Sequence, residues 1–448
     1  MQAINDFFSL INSYLWGWPM IVLLLGTHLF LTIRLRFPQR KLLTALRLSV
    51  SKEKGADGEV SQFGALATAL AATIGTGNIV GVALAITTGG PGAVFWCWVC
   101  GIFGMATKYS EGLLAVKYRV QDSDGRMLGG PMYALERGLG LKWLAVLFAF
   151  FTALAAFGIG CTVQANAIST LSFETYGITR WMTGLVITTL AAAVLLGGVK
   201  RIATVCGALV PFMAAFYVIG CVALLIINHA YVGKAISLIV TSAFTSQAAG
   251  GGFVGASVMM AARYGIARGL FSNESGMGSA PIIAAAARTR NPVRQALVSS
   301  TGTFWDTVVI CALTGVVLVS AILAFPDVSS SDGAALTKAA FAKLPLGPHV
   351  LAVAILTFAL STILGWSYYG ERAMEYLAGK RSVRYYRLAY VLAVFLGSVV
   401  GLELIWNIAD SLNALMALPN LVALLLLSGT LARETKKYLW QNRLDEEE

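Results

Sequence analysis

The chain has 448 residues, of which 57% are hydrophobic and only 12% charged, with a formal net charge of +11. A soluble domain carries about a quarter charged residues, so the composition excludes a soluble globular protein and predicts an all-α polytopic membrane protein in a lipid bilayer. Three histidines and six cysteines scattered through apolar runs give no zinc or redox spacing, Cys97 and Cys100 included. No nucleophile stands beside a base, so the sequence argues against an enzyme.

In chain order, residues 5–14 read as a short interfacial helix, and residues 1–15 lack the pattern of a cleavable signal peptide. Runs of about 20 apolar residues then predict eleven spans, at 15–35, 62–86, 91–117, 143–172, 181–199, 202–228, 235–264, 293–323, 348–370, 385–401 and 404–432. Three of these are interrupted: the second at Gly75-Thr76-Gly77-Asn78, the seventh at Gly250-Gly251-Gly252, and the eleventh near Leu418-Pro419-Asn420.

Loops after odd-numbered spans and the tail hold 28 Lys and Arg, against four (Arg180, Lys234, Lys338, Lys343) on the other side. By the positive-inside rule the N-terminus is outside and the C-terminus cytoplasmic, in the inner (plasma) membrane of a prokaryote. Topology then accounts for the basic excess, and a nucleic-acid partner loses its support. The broken second and seventh spans lie five spans apart and run oppositely, which predicts an inverted repeat of five plus five helices. The expected units are residues 1–61 (interfacial helix, first span, basic loop), 62–228 (first repeat), 229–434 (second repeat) and 435–448 (cytoplasmic tail).

Glycines at membrane depth expose backbone groups that lipid cannot satisfy, so such a break belongs in protein or beside a cavity. At Gly75, Thr76, Gly77 and Asn78 the freed N–H groups suit a substrate carboxylate, and the carbonyls of Ala71 and Ile74 before the break suit a cation. Three consecutive glycines, Gly250 to Gly252, are expected to face that break across the midplane. Ser361 and Thr362 in the ninth span either bond back to their own helix carbonyls or supply two hydroxyl ligands to Na⁺. Gln164 in the fourth span needs a partner from another helix or a ligand. Asp306 is an acidic residue well inside an apolar run, where a carboxylate is a functional candidate: it pairs with a substrate amine, relays a proton, or accepts hydrogen bonds between helices. Lys108 and Glu111, three apart, read as a structural pair.

The segments ALAATIGTGNIVGVAL (69–84), GGPGAVFWCWVCGIFGMATKYSE (89–111), GGPMYALERGLG (129–140), ARGLFSNESGMGSAPIIAAAA (267–287) and GWSYYGERAMEYL (365–377) together resemble the alanine or glycine:cation symporters. These are amino-acid carriers of the APC superfamily with the leucine-transporter-type fold of discontinuous helices. The resemblance implies symport of a small neutral amino acid with Na⁺ as coupling ion, no organic cofactor, and a monomer. It puts Thr73, Gly75, Thr76, Gly77 and Asn78 at the substrate, with Gln164 bordering the pocket. Gly250, Gly251 and Gly252 stand opposite, with Phe253 and Trp366 as walls. It assigns the Na⁺ ligands to the carbonyls of Ala71, Ile74 and Phe358 and the hydroxyls of Ser361 and Thr362. One helix precedes the repeat here, whereas that fold usually begins it at the first span. The rival readings are a proton-coupled carrier titrating Asp306, and a channel or sensor that does not accumulate substrate.

Overall fold

The computed structural model describes residues 2–51, 57–246, 253, 255–329, 333–400 and 403–448, with the side chains of residues 2–4, 334 and 403–406 left aside. Apolar stretches with few helix breakers form helices almost throughout. The amphipathic α1 (Gln2–Leu15) precedes α2 (Trp18–Arg34), whose Pro19 occupies the first turn, where the missing N–H costs nothing. After α3 (Leu42–Val50), the first interrupted span is α4 (Gln62–Thr73), a π-turn at Gly77–Gly81, and α5 (Val82–Gly89), with a 55° bend between its halves.

The long α6 (Gly92–Lys117) is followed by a small hairpin, β1 (Val120–Gln121) paired antiparallel with β2 (Met127–Leu128), and the short α7 (Pro131–Tyr133). Next come α8 (Lys142–Phe157), α9 (Val163–Tyr176), α10 (Arg180–Leu195), α11 (Gly198–Ile227) and α12 (His229–Ser242). The second interrupted span is α13 (Val258–Asn273) and α14 (Pro281–Ala284). The rest comprises α15 (Pro292–Thr303), α16 (Ala312–Ala324), α17 (Gly333–Phe341), α18 (Gly347–Ala378), α19 (Ser382–Val399), α20 (Glu403–Leu426) and α21 (Ser428–Glu434).

Most of the expected spans coincide with these helices; two do not. The seventh, expected at 235–264, is instead two separate helices, α12 and α13, and the described break of the second repeat falls at residues 274–280. Gly250, Gly251 and Gly252 lie outside the described residues. The eleventh is not broken: α20 runs on through Pro419.

The two broken spans are antiparallel. A Cβ on Gly89 at the end of α5 would touch Met260 and Tyr264 in the first turns of α13. At the other end, Val60 before α4 bridges to Ala287 after α14, and Arg288 N donates to Val60 O at 2.8 Å. The bridged end carries the basic loops. Arg263 and Arg268, counted with those loops from sequence, therefore sit toward the opposite face, which leaves 26 basic residues against six.

Helix α1 packs against α20. Asn12 Nδ2 donates to Asn407 O at 2.8 Å, and Ser411 Oγ donates to Asn12 Oδ1 at 2.7 Å. The main apolar core gathers α4, α8, α9, α11 and α18 around the first break, with Phe148, Phe358 and Trp366 fully buried.

Candidate substrate and cation site at the two helix breaks

Ile74 ends α4 in an extended conformation (φ −73°, ψ 94°) while its N–H still reaches Leu70 O at 2.7 Å. The next amide, on Gly75, donates to Asn78 Oδ1 at 2.8 Å, so a side chain from beyond the break caps it. Asn78 Nδ2 in turn donates to Asp306 Oδ1 at 2.7 Å and to Asp306 O at 3.2 Å. Both residues are fully buried. Asp306 belongs to a π-turn segment, Phe304–Cys311, and its Oδ2 accepts from Ser272 Oγ at 2.8 Å and Thr307 Oγ1 at 2.7 Å. One carboxylate thus ties the first break to the last turn of α13 through three neutral donors.

The second break turns on three left-handed residues, Glu274 (φ 53°), Gly276 (φ 91°) and Gly278 (φ 84°). Glycine adopts this region without cost, whereas a glutamate there carries strain that its contacts must hold. Glu111 Oε1 on α6 accepts from Gly276 N and Gly278 N, both at 3.0 Å, and from Asn420 Nδ2 at 2.7 Å. The freed amides therefore have a buried acceptor, as backbone at membrane depth requires. Glu274 Oε1 accepts from Trp366 Nε1 at 3.1 Å, and its Oε2 from Ser279 Oγ.

Between the breaks lies a small cavity of about 30 Å³. Of the residues expected at the substrate, Thr73, Gly75, Thr76, Gly77, Gln164 and Trp366 line it. Gln164 is held by Nε2 donating to Ile159 O at 3.0 Å, and Thr76 Oγ1 donates to its Oε1 at 3.4 Å. Asn78 is turned away, toward Gly75 and Asp306. Phe253 does not line the cavity; it is buried in a separate apolar cluster with Val82, Ile86 and Val94. Thr362, expected at the cation, also lines it, and the remaining wall is Ala72, Ile159, Phe271, Ser272 and Glu274, none of which was singled out from sequence.

Four of the five oxygens expected to hold a cation, those of Ala71, Phe358, Ser361 and Thr362, come together beside the same break. Ser361 Oγ donates to Phe358 O at 2.8 Å and to Ala71 O at 3.1 Å, while Thr362 Oγ1 donates to Phe358 O at 3.0 Å. The back-bonding alternative and the cation alternative therefore use the same atoms: each hydroxyl satisfies its helix yet stays within reach of α4. Close backbone approach makes this possible, since a Cβ on Gly365 would meet Ala72 N at 2.8 Å. Ile74 terminates α4 at this point. Two carbonyls and two hydroxyls make a hard, neutral oxygen set, the donor type a small alkali cation takes.

A wider cavity of about 300 Å³ reaches Thr76, Gly77 and Phe271 from the face opposite the basic loops, with Glu174, Arg268 and Lys338 on its wall. Lys338 Nζ pairs with Glu174 there. The basic face is closed over the breaks: Arg119 Nη1 donates to Ala285 O at 3.2 Å and Ala287 O at 3.0 Å, beside the Val60–Arg288 ladder.

The model of the sodium:alanine symporter family matches residues 1–448. The chain belongs to this family. It is 52% identical over its whole length to a Haemophilus influenzae protein described as an uncharacterized transporter, 99% of which is covered. It is also 52% identical to the sodium/alanine symporter AgcS of Methanococcus maripaludis, over 97% of each chain. A Bacillus subtilis relative described as a probable sodium/glutamine symporter, GlnT, is 36% identical over 99% of this chain and 92% of its own.

Members of the sodium:alanine symporter family are transporters, so this chain is a multi-pass membrane transporter and not an enzyme. Its fold matches the crystal structure of MhsT in complex with L-phenylalanine, with a TM-score of 0.60 at 14% identity over 87% of this chain and 96% of that one. The architecture is therefore the leucine-transporter-type fold.

Proposed function

We propose that the chain is a secondary symporter that couples inward Na⁺ movement to uptake of a small neutral amino acid, alanine or glycine, by alternating access. The observation that carries this reading is the cavity between the two breaks, lined by Gly75, Thr76 and Gly77, with the Ser361–Thr362–Ala71–Phe358 oxygens against the same break. The amides of Thr76 and Gly77 open the second half-helix, where N–H groups lack intrahelical partners and favour a carboxylate. Glu274, buried in the opposite wall, has lone pairs left on both oxygens for the substrate ammonium. Trp366, Phe271 and Ile159 limit the side chain to a small one.

Na⁺ is a co-substrate in this scheme. Held by the carbonyls of Ala71, Ile74 and Phe358 and the hydroxyls of Ser361 and Thr362, it steadies the unwound segment and so favours carboxylate binding. By reciprocity each ligand raises the affinity for the other by the same factor. The five-helix repeats, 62–228 and 229–434, then rock about the breaks, the Val60–Arg288 contact parts, and both ligands leave at the basic face. That face is cytoplasmic and the N-terminus external, in the inner membrane of a prokaryote. The functional unit is a monomer, since each chain carries a complete site. One positive charge moving inward gains about 2.3 kcal/mol per 100 mV, roughly a 50-fold accumulation before any Na⁺ gradient.

A second reading, proton coupling through Asp306, is favoured by the position of that carboxylate between the breaks. The deciding experiment is uptake of labelled alanine and glycine into proteoliposomes, under an inward Na⁺ gradient and then under K⁺ with an imposed pH gradient. Accumulation with Na⁺ alone is expected. Equal accumulation driven by pH without Na⁺ would replace the symport with Na⁺ by one with protons.

A further inference from the structure

We propose that Trp16, in the turn between α1 and α2, positions the Phe271 ring that parts the outer cavity from the substrate site, and thereby sets substrate retention and the limit on side-chain size. This rests on the symport reading above, and it gives the helices ahead of the repeats a part in transport. Phe271, near the end of α13, lines both the small cavity between the breaks and the wider one that reaches it from the face opposite the basic loops. The two spaces share Thr76, Gly77 and Phe271, and of these Phe271 has the side chain large enough to close the opening.

Three contacts hold that ring. Against the first break, a Cβ on Gly77 would lie 3.6 Å from Phe271 Cδ1. On its own helix, the Arg268 guanidinium stands 5.9 Å from the ring centroid, within cation–π range. Trp16 supplies the third contact, with ring centroids 6.5 Å apart and planes at 66°, an edge-to-face pair. Gly77 and Arg268 belong to the two broken spans themselves, so Trp16 is the support that comes from outside them.

Trp16 is itself fixed. Its N–H donates to Asn12 O at 2.9 Å, and Asn12 is bonded to Asn407 and Ser411 of α20. Its indole Nε1 donates to Asp410 O on the same helix at 3.1 Å. Behind it, α2 packs on α6 and α13. An indole anchored at its N–H presents a fixed edge to Phe271. With that edge in place the phenyl ring stays over Gly77 and the site. Without it the ring is free to turn toward the outer cavity, which leaves room above the substrate and opens its way out.

The test uses the purified full chain in lipid nanodiscs and reads two quantities at saturating Na⁺. One is the rate at which bound labelled alanine dissociates; the other is the ratio of leucine to alanine concentrations that displaces half the label. In Trp16→Ala, dissociation is expected to be about three- to tenfold faster, and the ratio to fall by a similar factor. A merely structural loss would not change the ratio. Trp16→Phe keeps a ring edge without the Nε1 bond and should restore both quantities to near wild type. Trp16→Leu keeps apolar bulk without a ring, should behave as Trp16→Ala, and serves if Trp16→Ala does not fold. In a Phe271→Ala background, Trp16→Ala should change neither quantity further. Unchanged dissociation and ratio in folded Trp16→Ala or Trp16→Leu would overturn the proposal. So would equal losses in Trp16→Phe and Trp16→Ala, which would assign the role to the bond with α20, or effects that add in the Phe271→Ala background. Wild-type protein that binds no alanine in Na⁺ would overturn the symport reading, an outcome distinct from all of these.

Discussion

Replacing Gly75 by alanine tests the link between the first break and the cation oxygens. Gly75 does not sit in the left-handed region, so alanine is compatible with its backbone, and its N–H can still donate to Asn78 Oδ1. The obstacle is packing: the new Cβ would lie 2.8 Å from Thr362 Oγ1. To make room, the Thr362 hydroxyl has to leave its 3.0 Å bond to Phe358 O, and with it the proposed cation site. Overpacking by one methyl costs about 1–3 kcal/mol, a factor of roughly 5 to 150 in an equilibrium constant. If that cost falls on the cation site, the Na⁺ concentration for half-maximal alanine uptake rises by this factor while external alanine at saturating Na⁺ is still transported. Adding Thr362→Ser, whose unbranched hydroxyl turns more freely, should recover part of the loss. Gly81→Ala, four residues past the break with nothing within 4 Å of its Cβ, is the control and should behave as wild type. An unchanged Na⁺ dependence in Gly75→Ala, in folded protein, would refute the reasoning.

Asn78→Ala strips the cap from Gly75 N and leaves Asp306 Oδ1 buried without its donor. At about 1–3 kcal/mol for each buried group left unsatisfied, it should lower the thermal unfolding midpoint in detergent clearly more than a surface alanine does. Glu274→Gln keeps an acceptor for Trp366 Nε1 but loses the charge offered to the substrate ammonium. A hydrogen bond to a charged group contributes about 1.5–3 kcal/mol, so KM for alanine should rise roughly 10- to 150-fold, measured as initial uptake rates. On the basic face, the Tyr376 hydroxyl, donating at 2.7 Å, holds the Glu136 carboxyl below its ordinary range, with help from Lys142. A depressed carboxylate stabilises the fold above its unfolded-state pKa, and the effect is lost as pH falls through the folded pKa. The gap in melting temperature between wild type and Tyr376→Phe should therefore be present at neutral pH and narrow in acid.

Much of this was written in the sequence. The first break was legible because Gly75, Thr76, Gly77 and Asn78 stand inside a run too apolar to be a loop. Ser361 and Thr362 were legible as adjacent hydroxyls, though their dual geometry was not. The second break was misread for a physical reason. Its residues, Asn273-Glu274-Ser275-Gly276, are polar enough to pass for a loop at the end of a span, and that same misreading placed Arg263 and Arg268 on the wrong face. What makes such a segment tolerable at membrane depth is Glu111, over 160 positions earlier, accepting from its amides, and no local pattern reveals that. Glu274 escaped notice for the same cause, although an acidic residue two positions before a Gly-x-Gly in a quoted motif was a usable signal. Pro419 misled in the opposite direction. A proline usually ends a helix, yet α20 continues through it, and Asn420 beside it donates to Gly276 O at 2.9 Å, locking the helix to the second break.

The central claim is that Na⁺ and the amino acid share the first break and bind cooperatively. Equilibrium binding of labelled alanine to purified protein, titrated in Na⁺ and in matched K⁺, tests it without the complications of flux. Alanine affinity should rise with Na⁺, and the rise should vanish in Ser361→Ala/Thr362→Ala while weak Na⁺-independent binding persists. Equal alanine affinity in Na⁺ and K⁺, or a Na⁺ effect untouched by that double substitution, would contradict it.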